Sequence, residues 1–337
     1  MLDIIVQNLF SPVVLFFVLG LLASLFKSDL KIPNGLSEGL SIYLLIAIGI
    51  KGGIELSHYS IHSILEPILG TLLLGFSIPI FTVVILRFMK LDLYNAIGLA
   101  ATYGSVSIVT YGAAISFLNY QQISYEGFMN ALVVILESPA IFISLLLLNV
   151  LKKNQNHIRY SSQQIGIIAN TTTHKWIDKE ILRESLFGKS VLLLMGSLTI
   201  GVLLGEGALP TIKPLFIDLY SSVLILFLLN MGLIAGQRLP EIKSNGMKLL
   251  LFAILAPLIF GTFGVYVGSM VGLSLGGTTL MGVLAGSASY IAAPAALKTS
   301  VPEASPSIYI GLALGITFPF NLLFGIPLYF EMAKWIN

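Results

Sequence analysis

The chain has 337 residues, 56% hydrophobic and 10% charged, with a net charge of +2 and no cysteine. Soluble domains carry roughly 25% charged residues, so this composition excludes a soluble enzyme and a disordered tail, and the near-neutral charge excludes a nucleic-acid binder. What is left is a polytopic membrane protein, and apolar runs of about 20 residues select helices over barrel strands.

Ten spans are predicted in chain order, near residues 8–26, 36–56, 67–89, 94–118, 125–151, 187–206, 215–236, 246–272, 277–299 and 304–332. Residues 1–10 hold no Lys or Arg, so the first apolar stretch reads as a retained helix and not as a cleaved signal. In the second span Lys51 and Glu55 stand four apart, a spacing that suits an ion pair. Segment 58–66 is too polar to span and is expected to be a short interfacial link. Its His58 and His62 have the spacing of a helical metal pair. Tyr59 stands where the zinc-protease pattern needs Glu, so a solvated amphipathic turn is the better reading.

The fourth span carries Thr102-Tyr103-Gly104-Ser105-Val106-Ser107, followed by Thr110. The fifth carries Glu137-Ser138-Pro139-Ala140 near its middle. A carboxylate there is costly unless it binds a cation, is protonated or is paired. Coupling to sodium or protons is the favoured reading, and a protonated acid bonding a neighbouring helix is the alternative. Residues 152–186 are polar and weakly basic, a cytoplasmic linker that reads as a tether or as a docking surface for a soluble regulator. The ninth span carries Gly286-Ser287-Ala288-Ser289-Tyr290 and then Pro294. Asn130, Asn230 and Asn321 are expected to bond between helices first and to serve as ligands second. Trp176 and Trp335 flank spans as interfacial aromatics do.

Orientation follows from the basic residues. With both termini outside, 15 of the 18 Lys and Arg fall on the cytoplasmic side, and only Lys51, Lys213 and Lys334 lie at the other. The halves also echo each other. Gly49 and Gly53 recur as Gly232 and Gly236 at an offset of 183, and Gly104-Ser105 recurs as Gly286-Ser287 at 182. Ala113-Ala114 matches Ala295-Ala296 at 182, and Pro139 matches Pro319 at 180. Two five-helix halves, residues 1–151 and 187–337, enter the membrane with opposite sense, the inverted-repeat plan of many secondary transporters. The Gly49 and Gly232 patterns read as close helix packing.

In the fourth and ninth spans, glycine and hydroxyl residues at mid-span predict broken helices, with Pro294 favouring the second break. Helix N-termini there suit an anion, and exposed carbonyls and hydroxyls suit a small hard cation. Plain small-residue packing is the competing reading for either stripe alone. No P-loop is present and nothing suggests ATP hydrolysis, so no enzyme is expected, and the driving force falls to an ion gradient.

These residues resemble the sodium-dependent bicarbonate transporters of cyanobacteria and their wider bacterial relatives. The resemblance runs through nearly the whole membrane portion. It is strongest at Gly104-Ser105-Val106-Ser107, Thr110, Glu137-Ser138-Pro139-Ala140, the run from Pro302 to Gly311, Pro319 and Ile326-Pro327-Leu328. It implies an all-α fold of ten helices in two inverted repeats with core and gate domains, elevator-like movement, a homotrimer, and a PII-like cytoplasmic regulator in cyanobacterial members. It places the chain in the bacterial inner membrane, as a sodium-coupled symporter of bicarbonate. Under it, Ser105, Ser107, Thr110, Ser287 and Ser289 line the bicarbonate and sodium sites. Motif and resemblance together assign substrate binding to Gly104, Ser105, Ser107, Gly286, Ser287 and Ser289. They assign sodium coupling to Thr110, Glu137, Ser138 and Asn321, with no organic cofactor. Tyr290 stands where the cyanobacterial pattern has Asp, and Ala293-Pro294-Ala295 where it has Gly-Pro-Pro. Alternatives of the same architecture are a sodium/proton antiporter and a sodium-coupled organic-anion carrier. A membrane enzyme or sensor is the reading from another class.

Overall fold

A serine and a proline shape the first span. Ser11 caps α2 (Pro12–Leu25) by accepting from the Val14 N–H at 3.3 Å, and Pro12 takes the first turn, where its missing donor costs nothing. The chain therefore bends by 61° between α1 (Leu2–Leu9) and α2, so a short helix that the sequence did not predict precedes the span expected near 8–26. The computed structural model describes residues 2–161, 183, 187–242 and 246–337.

Then follow α3 (Asn34–Leu56), α4 (Ile61–Phe88), α5 (Leu93–Gly104), α6 (Ile108–Tyr120) and α7 (Met129–Ser161). The second part holds α8 (Lys189–Leu204), a run of α and π turns over 209–218, α9 (Tyr220–Ile242), α10 (Met247–Met270), α11 (Leu275–Gly286) and α12 (Ala292–Ser300). The last helix, α13 (Pro306–Ile336), is interrupted by π turns at Ala313–Thr317 and Asn321–Gly325. No strand occurs among the described residues.

Eight helices are long and apolar enough to cross a membrane among the described residues, or nine with α1 and α2 taken as one span. The predicted ninth span is the one that falls short, since α11 and α12 are each too short, whereas α5 and α6 pass together over Leu93–Tyr120. On α4, Leu65, Leu69, Leu73, Phe76 and Ile80 are exposed at intervals of three and four, an outward apolar stripe of the kind lipid covers.

Three boundaries differ from expectation. The segment 58–66 is not a link throughout, since Ser60 caps a helix that begins at Ile61 and carries His62 and Glu66 in its first turns. The helix bearing Glu137 runs to Ser161, past the expected edge at 151, so the first ten residues of the supposed linker continue it. The remainder of that linker, with any regulator surface on it and Trp176, lies outside the described residues apart from Arg183. Pro294, finally, does not make the break before α12. It sits in the first turn of that helix, where no intrahelical donor is needed.

Two helix pairs frame the molecule. α2 lies against α9, and α3 against α8. A Cβ on Gly232 would sit 2.1 Å from the Phe17 carbonyl oxygen, and one on Gly53 would sit 2.1 Å from that of Leu198. Backbones touch at these points, as the GxxxG reading expected. α5 and α6 lie inside, with nearly every side chain buried, packed by α4, α7 and the second part of the chain.

Candidate functional site

The site begins with two short helices built alike. α5 and α11 each have 12 residues and start 182 positions apart, after the side-chain caps Asp92 and Ser274. Both end at glycine followed by an extended serine, Ser105 at φ −87° and ψ 177°, and Ser287 at φ −88° and ψ 167°. The glycines are needed for close approach. A Cβ on Gly104 would lie 2.4 Å from the Pro79 ring, and one on Gly286 would lie 2.6 Å from the Tyr329 hydroxyl.

The extended links cross. The Ser107 N–H donates to Ser287 Oγ at 3.0 Å, and the Ser289 N–H donates to the Thr102 carbonyl at 2.8 Å. Each chain thus satisfies backbone that the other leaves open, which holds two helix C-termini and two helix starts at one point. Ser107 then caps α6, accepting from the Thr110 N–H at 3.1 Å and from Thr110 Oγ1 at 2.8 Å. Ser289 Oγ accepts from the Ala293 N–H at 3.2 Å at the start of α12.

Beside the crossing is a cavity of about 10 Å³, lined by Val106, Ser107, Glu137, Ser190, Ser289 and Tyr290 among others. That holds about one water-sized occupant. Glu137 is 1% exposed, and its Oε2 has no hydrogen-bond partner. Ser105 Oγ is likewise buried without a partner. The Tyr290 hydroxyl faces Ser107 but makes no hydrogen bond of ordinary geometry. Buried polar atoms left open are costly, and an unpaired acid most of all, unless an occupant completes them. A monovalent cation of water-like size does so with oxygens alone. Among the described residues, no group of three or more His, Asp or Glu side chains suits a divalent metal.

Of the residues singled out in the sequence, Ser107, Ser289 and Glu137 line one cavity, and Gly104, Ser105, Gly286, Ser287 and Thr110 stand at the crossing itself. Ser138 does not line it. Asn321 is already engaged: its Nδ2 donates to the Gly286 carbonyl at 2.7 Å, and its Oδ1 accepts from the Tyr329 hydroxyl at 2.9 Å. It holds the end of α11 from a π turn of α13. Asn130 and Asn230 also bond between helices, to Tyr111 and Ser37. Lys51 and Glu55 form no ion pair, for Lys51 reaches the Tyr125 hydroxyl at 3.5 Å and Glu55 packs at Gly127. His58 lies 3.5 Å from Glu206. Ser190, at the start of α8, was missed because it sits beside a linker with no motif around it.

The family model described as the Na+-dependent bicarbonate transporter superfamily matches residues 12–334. No curated protein matches the chain.

Proposed function

The chain belongs to this Na+-dependent bicarbonate transporter superfamily, and we propose that it carries a small anion, bicarbonate first, in symport with sodium. The observation that carries the reading is the crossing of α5–α6 and α11–α12 beside the unpartnered Glu137 carboxylate. The first-turn N–H groups of α6 and α12 supply partial positive charge to the anion, next to the hydroxyls of Ser107 and Ser289 and the serines at Gly104-Ser105 and Gly286-Ser287. Sodium sits at Glu137, with Ser107, Ser289 and the Thr110 region supplying neutral oxygens. Asn321 positions α11.

The architecture that suits this is ten spans in two inverted repeats, residues 1–151 and 187–337 around a linker at 152–186, with α11 and α12 as one broken span. The framing pairs α2–α9 and α3–α8 act as the gate, and the crossing body moves against them in an elevator-type cycle. Both termini face outward from a bacterial inner membrane, the assembly is a homotrimer, and a PII-like partner docks on the linker. In support stand the repeated helix lengths and caps, the exchange of partners between the two framing pairs, and the bias of basic residues to one side.

Uptake of labelled bicarbonate into proteoliposomes tests this. Uptake that requires sodium and collapses in Glu137→Ala is expected, and uptake indifferent to both sinks the coupling. The cavity volume of about 10 Å³ favours one rival, a sodium/proton antiporter, because it admits an ion and not a bicarbonate. An internal pH dye that responds to sodium without added anion identifies that case.

A further inference from the structure

A second cavity, of about 30 Å³, lies where α3, α6, α7 and the turn before α9 meet. It is roughly three times the size of the first and takes two or three water-sized atoms, the scale of a small planar oxyanion. Along α6 its wall at Ile115 is eight residues from Ser107, or about 12 Å of helix. It therefore stands apart from the crossing, between a framing helix and the crossing body.

Its polar lining is made of donors. Lys51 brings an ammonium whose only hydrogen bond is the long one to Tyr125, and no carboxylate lies within ion-pair distance of it among the described residues. The Tyr220 hydroxyl is buried, rests over Gly112 and has no hydrogen-bond partner. Asn130 is held in one orientation, accepting from the Tyr111 hydroxyl at 3.0 Å and donating one N–H to the Gly127 carbonyl at 3.2 Å, which leaves its second N–H unused. No acidic side chain lines the cavity. The buried Tyr220 hydroxyl is costly without a partner, and half-buried Lys51 brings a positive charge with no carboxylate beside it among the described residues. One anion satisfies both at once.

We propose that this cavity is an anion vestibule, taking a small monovalent oxyanion on the Lys51 ammonium, the Tyr220 hydroxyl and the free N–H of Asn130. The choice of bicarbonate as its ligand rests on the transport reading above; the cavity's chemistry does not. The chain has no cysteine, so a single Ile217→Cys in the cavity wall reports occupancy by its rate of maleimide labelling in nanodiscs. Sodium bicarbonate is expected to slow labelling at least threefold relative to sodium gluconate, and Lys51→Met or Tyr220→Phe in the same background is expected to abolish that protection. Labelling unaffected by bicarbonate, protection that survives both substitutions, or a cysteine that never reacts each overturns the proposal. Uptake measured in parallel separates the two readings. Transport with no protection leaves the symporter standing without a vestibule, and protection with no transport leaves the vestibule on a protein that does not carry bicarbonate.

Discussion

The two crossing links share a Gly-Ser-x-Ser sequence and an extended serine, yet they are finished differently. The first leads into a properly capped helix, with Ser107 bonding the Thr110 N–H and hydroxyl, and an open carboxylate stands beside it. The second leads into α12 through Ile291, which offers no side-chain cap, and its open carbonyl at Gly286 is taken by the Asn321 amide. A neutral amide cancels the negative end of α11, whereas nothing cancels Glu137. Equal local signatures therefore do not give equal halves of a site: an open acid on α7 flanks one link and an already bonded amide on α13 flanks the other, and the proposed cation site falls on the first.

The strongest way to break this contrast is Glu137→Gln. Sodium-dependent uptake is expected to fall by roughly fifty-fold or more while the melting temperature holds or rises, since a buried acid with an open oxygen is replaced by a neutral isostere. A clear fall in melting temperature would instead make Glu137 a structural residue. Next come the two glycines. Gly104→Ala and Gly286→Ala each push a methyl into an occupied space and are expected to destabilise by about 1–3 kcal/mol in denaturant titrations. Asn321→Ala strips the Gly286 carbonyl of its partner inside the protein, at about 1–3 kcal/mol, and is expected to raise the KM for bicarbonate without removing the need for sodium. Smallest, Ser107→Ala is expected to cost about 1 kcal/mol as a lost helix cap, and Ser289→Ala less, because α12 has no full cap to lose. Equal losses for the two serines would erase the contrast.

Much of this is legible in the amino-acid sequence. The helical class followed from long apolar runs, and the crossing from glycine and serine set where leucine belongs in a lipid-facing helix. Glu137 stood out because an acid in mid-span has so few ordinary explanations. The breaks were harder. Pro294 marked the right region for the wrong reason, since a proline is as much at home in a first turn as in a kink, and only the preceding Gly286-Ser287 link separates the two. The Ser60 cap was hidden by the polar residues after it, which looked like loop but sit in the first turns of a helix. Ser190 and Tyr220 reach their cavities from helices distant in sequence, and no local pattern reports such a meeting. Asn321 bonds another helix, as the first of its two readings expects; which partner it takes depends on a π turn that periodicity does not reveal.

The glycine contacts between α2 and α9, and between α3 and α8, have a mechanical corollary. Where two backbones meet with no side chain between them, there is no rotamer to yield and no slack to take up. Such pairs behave as stiff rails. In the proposed cycle, displacement of the crossing body falls instead on the seam where Lys51, Tyr125 and Tyr220 meet through side chains. Lys51 and Tyr220 on that seam also line the cavity proposed for the anion, so that movement and anion binding would draw on the same side chains.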